Sequence, residues 1–113
     1  MAAELSVDAL RAEIDQIDEV IVRLLDRRAR CAYAIGRTKY QERRPIYEPA
    51  REAAVLEHVR AVNAALDGPL DGEAIGRLYE RVMDEARRIQ RLEAERADRE
   101  ARGGASAPAV EGE

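Results

Sequence analysis

From about residue 6 to residue 41 the chain contains nothing that stops a helix. No proline occurs before Pro45, and Gly36 is the only glycine on the way. Apolar residues recur at Leu10, Ile14, Ile17, Ile21 and Leu24, then at Cys31 and Ile35. That spacing is a heptad seam, which demands burial against another helix. About 35 helical residues span roughly 50 Å, more than the width of a globule of this size. One chain is therefore not expected to cover such a helix alone, and a second copy is expected to lie along it.

The seam is interrupted by charge. Arg28 takes the one missing seam position, and Lys39 follows Ile35 by four residues on the same stripe. The two differ by only about 20° around the helix axis. A charge on a buried stripe is costly unless something opposite pairs with it. Helix 1 offers no obvious partner, which is a first hint that a ligand supplies the negative charge.

Ser6 is a plausible N-cap, with Asp8 in the first turn where the helix dipole favours a carboxylate. The helix should end before Pro45, because the residue preceding a proline avoids the helical region. A second helix is predicted over about 48–66, with Pro49 suited to its first position and Val55, Val59, Val62 and Leu66 on its apolar face. Asp67-Gly68-Pro69 is turn chemistry. A third helix is predicted over about 71–100. Its stripe is Ile75, Leu78, Val82, Ala86 and Ile89, flanked by Tyr79, Met83 and Gln90. No strand pattern occurs. The expected fold is all-α, three helices of unequal length in one helical domain over 1–102. A disordered tail is expected over 103–113, where the text turns small and polar.

A chain of 113 residues supports one modest domain. Having no Phe and no Trp, it must fill its core with aliphatic side chains and alanine. Charged residues make up 37% with a net charge of −4, and the two signs are interleaved. This favours exposed helix faces over a nucleic-acid binder, which would segregate a basic patch. The single cysteine, Cys31, sits on the seam and reads as a small core hydrophobe. His58, the only histidine, has no acid or nucleophile at a telling spacing and reads as surface. Tyr33, Tyr40, Tyr47 and Tyr79 read as packing residues. Neither a signal-type run nor a membrane-length apolar stretch occurs, so a soluble, cytoplasmic protein with no membrane association is expected.

Arg28, Lys39, Arg51, Glu52 and Gln90 intrude on apolar stripes, and Arg11 sits beside Leu10. Several cations with a carboxylate and an amide inside a helical bundle suit a small polyanion bearing hydroxyl groups. Arg28 and Lys39, roughly 16 Å apart along the axis, could grip one such molecule; Arg11 lies about 25 Å from Arg28 and about 42 Å from Lys39. It could join the same site only from an antiparallel second chain. The bland alternative stands beside this: a lone arginine on a helix usually snorkels or pairs with a glutamate. Arg51 with Glu48, or Arg28 with a carboxylate of helix 3, could be plain structural ion pairs. Metal-ligand spacing, a glycine-rich phosphate loop and a nucleophile–base pair are all lacking.

Arg11, Arg28, Lys39, Arg44-Pro45, Glu48, Arg51-Glu52 and Gln90 together resemble the signature of the all-helical class of chorismate mutases. The resemblance covers residues 5 to about 92 and includes the three-helix layout. It implies an intertwined homodimer in which each of two sites draws one arginine from the other chain. It implies conversion of chorismate to prephenate, the branch-point step towards phenylalanine and tyrosine, with no cofactor and no metal. By position, Arg28 and Arg11 of the partner subunit would bind the substrate carboxylates, with Arg51 orienting the ring-side groups. Lys39 and Gln90 would hydrogen-bond the ether oxygen of the breaking bond. Glu52 and Glu48 would bind the ring hydroxyl. An intramolecular pericyclic rearrangement needs no nucleophile or base. It is helped by holding the compact conformer and by a cation where charge grows on the ether oxygen.

Two departures accompany the resemblance. Ala86 stands where relatives can have a small hydroxyl residue, and the text beyond about Glu93 exceeds the catalytic core. That extension could be solvated or could contact another shikimate-pathway enzyme. The nearest rival is isochorismate–pyruvate lyase on the same fold. The Arg51-Glu52 pair argues against it, since that subgroup tends to place an apolar residue after the arginine. A non-catalytic helical dimerisation or regulatory module, or a plain coiled-coil adaptor, would not be expected to keep every site cation together with Glu52 and Gln90.

Overall fold

The computed structural model describes residues 6–111 and contains three α-helices: α1 (Val7–Glu42), α2 (Pro49–Leu66) and α3 (Gly72–Glu111). Among the described residues there is no strand, and no helix is long and apolar enough to cross a membrane.

Each boundary has a local cause. Ser6 Oγ accepts from the Ala9 amide at 3.0 Å, satisfying one of the donors a helix start leaves open. At the far end of α1, Arg43 takes a left-handed φ of 57° and the Arg44 amide donates back to the Lys39 carbonyl at 2.8 Å. That C-cap reverses the chain. Pro49 opens α2 behind Glu48, whose side chain makes no capping bond. Asp67, at φ 50°, closes α2 with its amide on the Ala64 carbonyl at 3.2 Å. Asp71 then caps α3, its Oδ1 accepting from the Ala74 amide at 2.8 Å.

The chain divides into two compact units, Met1–Cys31 and Ala32–Glu113, with the division falling inside α1. The first unit is the body of α1 with its heptad seam open: Leu10, Ile14, Ile17, Ile21 and Leu24 are 42–52% exposed. Cys31, expected in a core, is exposed in the single chain for the same reason. The second unit packs α2 against α3 and includes the end of α1 from Ala32. Its buried residues are few: Ala32, Gly36, Val55, Gly76 and Met83, together with the polar Lys39, Gln90 and Glu93.

Three expectations need correction here. The buried line of α3 is Gly76–Met83–Gln90, one residue on from the expected stripe. Ile75, Val82 and Ile89 are only half-buried and Leu78 is exposed. Within one chain α3 meets its neighbours on the flank of the apolar stripe, so the stripe itself stays partly open. Second, α3 continues to Glu111, past the expected helix limit of about 100. The last two residues of the expected tail lie outside the described residues. Third, Tyr33 and Tyr47 are exposed, whereas Tyr79 is half-buried and the half-buried Tyr40 donates to Asp98 Oδ1 at 3.4 Å. His58 is exposed, as its spacing implied.

Candidate active site

Lys39 lies in the last turn of α1 and is only 7% exposed. The reversal at Arg43 brings residues 44–48 back past it. Its ammonium donates to the Ile46 carbonyl at 2.8 Å and to Gln90 Oε1 at 3.2 Å, and stands 3.7 Å from Glu48 Oε2. Gly36, one turn earlier, lets α3 come close: a Cβ there would sit 3.0 Å from Gln90 Cα. Glycine at 36 is thus what brings the Gln90 amide within reach of Lys39. An ammonium has no acceptor, so the oxygen of Gln90 must face it, and the amide N–H groups are left for another partner.

Glu48 is shared between two cations, Lys39 and Arg44, the latter at 3.3 Å. One turn further, the Glu52 amide donates to the Glu48 carbonyl at 3.1 Å, so both carboxylates lie at the start of α2. Arg87 of α3 bonds both Glu52 and Asp84, and its guanidinium lies 5.5 Å from the centre of the Tyr47 ring. Arg51 is exposed in the first turn of α2. Arg28 is half-buried and Arg11 exposed, both in the N-terminal unit.

Of the residues singled out in the sequence, then, Lys39, Gln90 and Glu48 are joined directly, and Glu52 follows Glu48. Two further groups carry no distinguishing signal in the sequence. Arg87 stands in an arginine-rich stretch, although it precedes Gln90 by three residues and so shares its side of α3. Glu93, three residues beyond Gln90, is 2% exposed and is gripped by two nitrogens of Arg96 at 2.8 and 2.9 Å. Arg37 stands 3.6 Å away. The Arg96 hydrogen bonds hold the Glu93 carboxyl below its ordinary range; burial opposes this, while a Tyr33 hydrogen bond and the Arg96 and Arg37 charges add to it. Among the described residues no group of His, Cys, Asp and Glu is placed to hold a metal ion.

The model of the chorismate mutase type II family matches residues 10–91. This chain belongs to that family. The match takes in every candidate residue from Arg11 to Gln90 and stops just short of Glu93. The chain is 41% identical over 88 residues to a bifunctional chorismate mutase/prephenate dehydratase of Pseudomonas aeruginosa, covering 74% of this chain and 23% of that protein. It is 42% identical over 81 residues to the protein of the same name from Neisseria gonorrhoeae, covering 72% of this chain and 21% of the relative. It is also 38% identical over 86 residues to the T-protein of Enterobacter agglomerans, covering 76% and 22% respectively. The chorismate mutase type II chain thus spans less than a quarter of the length of these relatives. No solved structure matches it.

Proposed function

We propose that this chain rearranges chorismate to prephenate, on the route to phenylalanine and tyrosine, in active sites completed by a second copy of itself. The observation that carries this is the buried Lys39 ammonium beside Gln90, in a chain of the chorismate mutase type II family.

The reaction breaks an ether C–O bond while a C–C bond forms within one molecule, so the protein contributes geometry and electrostatics. Negative charge grows on the ether oxygen in the transition state. Lys39 would meet it with a fixed cation, and Gln90 with the amide N–H groups that its bond to Lys39 leaves unused. Because Ile46, Gln90 and Glu48 already orient the ammonium, little reorganisation is needed as that charge develops. Arg28 and the partner's Arg11 would bind the two substrate carboxylates and hold the compact conformer, with Arg51 at the ring side. Glu52 and Glu48 would accept from the ring hydroxyl. The open seam of α1 supports the homodimer, since five aliphatic side chains along one ridge call for a partner surface. A cytoplasmic location, and association with an enzyme of a neighbouring step, belong to the same proposal. The pairing of two activities in the names of the relatives supports the latter.

The test is loss of chorismate absorbance on adding purified protein, with isochorismate run in parallel and the particle mass measured. Prephenate formation by a two-chain particle, undiminished by a chelator, is expected. A protein that leaves chorismate untouched would refute the proposal.

A further inference from the structure

We propose that Arg87 is a positioning residue that sets Glu52 for the substrate's ring hydroxyl; this deepens the function proposed above and rests on it. Arg87 is held at three points. Its Nη2 donates to Asp84 Oδ1 one turn back on α3, its Cζ lies over the Tyr47 ring, and its Nη1 donates to Glu52 Oε2 on α2. Both side chains of the pair are sheltered, at 26% exposure for Arg87 and 22% for Glu52. A lone surface pair would let Glu52 sample several rotamers. Here the arginine that bonds Glu52 is also held by Asp84 and Tyr47.

The consequence is chemical. With Oε2 engaged, Glu52 presents Oε1 as its remaining acceptor in one orientation. The oxygen not held by the guanidinium is left as a hydrogen-bond acceptor. Such a group favours a ring hydroxyl over an ether or a carbonyl at that position, and a site built for a hydroxyl discriminates strongly against an analogue lacking it. Arg87 would act on the substrate only through Glu52.

That dependence can be measured in the intact protein by titrating a hydroxyl-bearing dicarboxylate transition-state mimic calorimetrically. Four proteins are compared: wild type, Arg87→Ala, Glu52→Gln and the double variant. Loss of a charge-assisted hydrogen bond predicts roughly tenfold weaker binding for Arg87→Ala. In the Glu52→Gln background the same change should add less than about twofold, the non-additivity of groups acting as a unit. Equal weakening in both backgrounds, or none in either, overturns the proposal, because a merely structural role would be additive. Should the alanine variant not fold, Arg87→Lys carries the same comparison: partial weakening confined to the Glu52 background is expected, and unweakened binding overturns it. A wild-type protein that neither binds the mimic nor consumes chorismate removes the function itself and this inference with it, a failure visible before any variant is made.

Discussion

At Lys39 a charged side chain is kept where charge is costly, and three neighbours make that tolerable: the Ile46 carbonyl, Gln90 and Glu48. Removing the lysine need not unfold the protein, because Glu48 keeps Arg44 at 3.3 Å. Lys39→Ala is therefore expected to leave a folded chain whose kcat/KM for chorismate falls at least about a hundredfold, the usual loss when a donor to a developing oxyanion is removed. Near-normal turnover would refute the assignment. Glu93 makes a different kind of prediction. Its folded pKa lies below its unfolded value, so the stability it contributes is fully present above that unfolded value, near about 4.3, and is lost as pH falls through the folded value. Thermal melting at fixed protein concentration should find Glu93→Gln less stable by about 2 kcal/mol at neutral pH. The difference should fade below about pH 4. A gap that persists in acid would show that charge is not what Glu93 contributes. Lys39 and Gln90 were legible in the sequence because each is polar or charged at or beside an apolar stripe, and Glu48 because it completes the family signature. Arg87 and Glu93 were not, since on a helix crowded with arginine and glutamate only packing separates a sheltered pair from a solvated one.

Two glycines at the helix–helix contacts look alike in the sequence and differ in what faces them. At Gly36 an added Cβ would meet the Gln90 backbone at 3.0 Å and its side chain at 3.3 Å, atoms that cannot move without moving α3. At Gly76 the nearest atoms are those of the Arg60 guanidinium, 2.5 Å away but on an exposed side chain that can swing aside. Alanine brings about 1 kcal/mol of helix propensity at either site. Overpacking against backbone costs about 1–3 kcal/mol. Gly36→Ala should accordingly be destabilising and should lower activity by shifting Gln90 from Lys39, whereas Gly76→Ala should be neutral or stabilising. Equal melting shifts in the two variants would contradict this. The same logic explains the one-residue offset of α3. Hydrophobic spacing marks a surface that must be covered, but not which neighbour covers which part. Within one chain, Gly76, Met83 and Gln90 are covered and Leu78 is not.

Among the described residues of a single chain, Ala32, Val55 and Met83 are the only buried hydrophobic side chains, while a row of large aliphatic residues along α1 stays exposed. So small an apolar interior supplies little folding energy by itself. The shared-site homodimer that we propose answers both facts, and it can be tested by complementation. Arg11→Ala and Lys39→Ala chains should each be inactive alone. Mixed in equal amounts and re-equilibrated, they should recover roughly a quarter of the wild-type rate, since half of random pairings are mixed and each of those holds one complete site. No recovery, with exchange confirmed by mass, would mean that Arg11 and Lys39 do not serve the same site across two chains.

The number of helices, their starting points and the placing of Arg28, Lys39 and Gln90 on or beside helical stripes all follow from the order of residues. Caps, prolines and periodicity are local and act within a few positions. Folding alone decided that Gly36 admits Gln90 to Lys39, that Arg87 reaches Glu52 past Tyr47, and that Glu93 lies sheltered between Arg96 and Arg37. Each of these joins residues distant in the chain, and whether a charge meets water or a partner depends on which helix faces it.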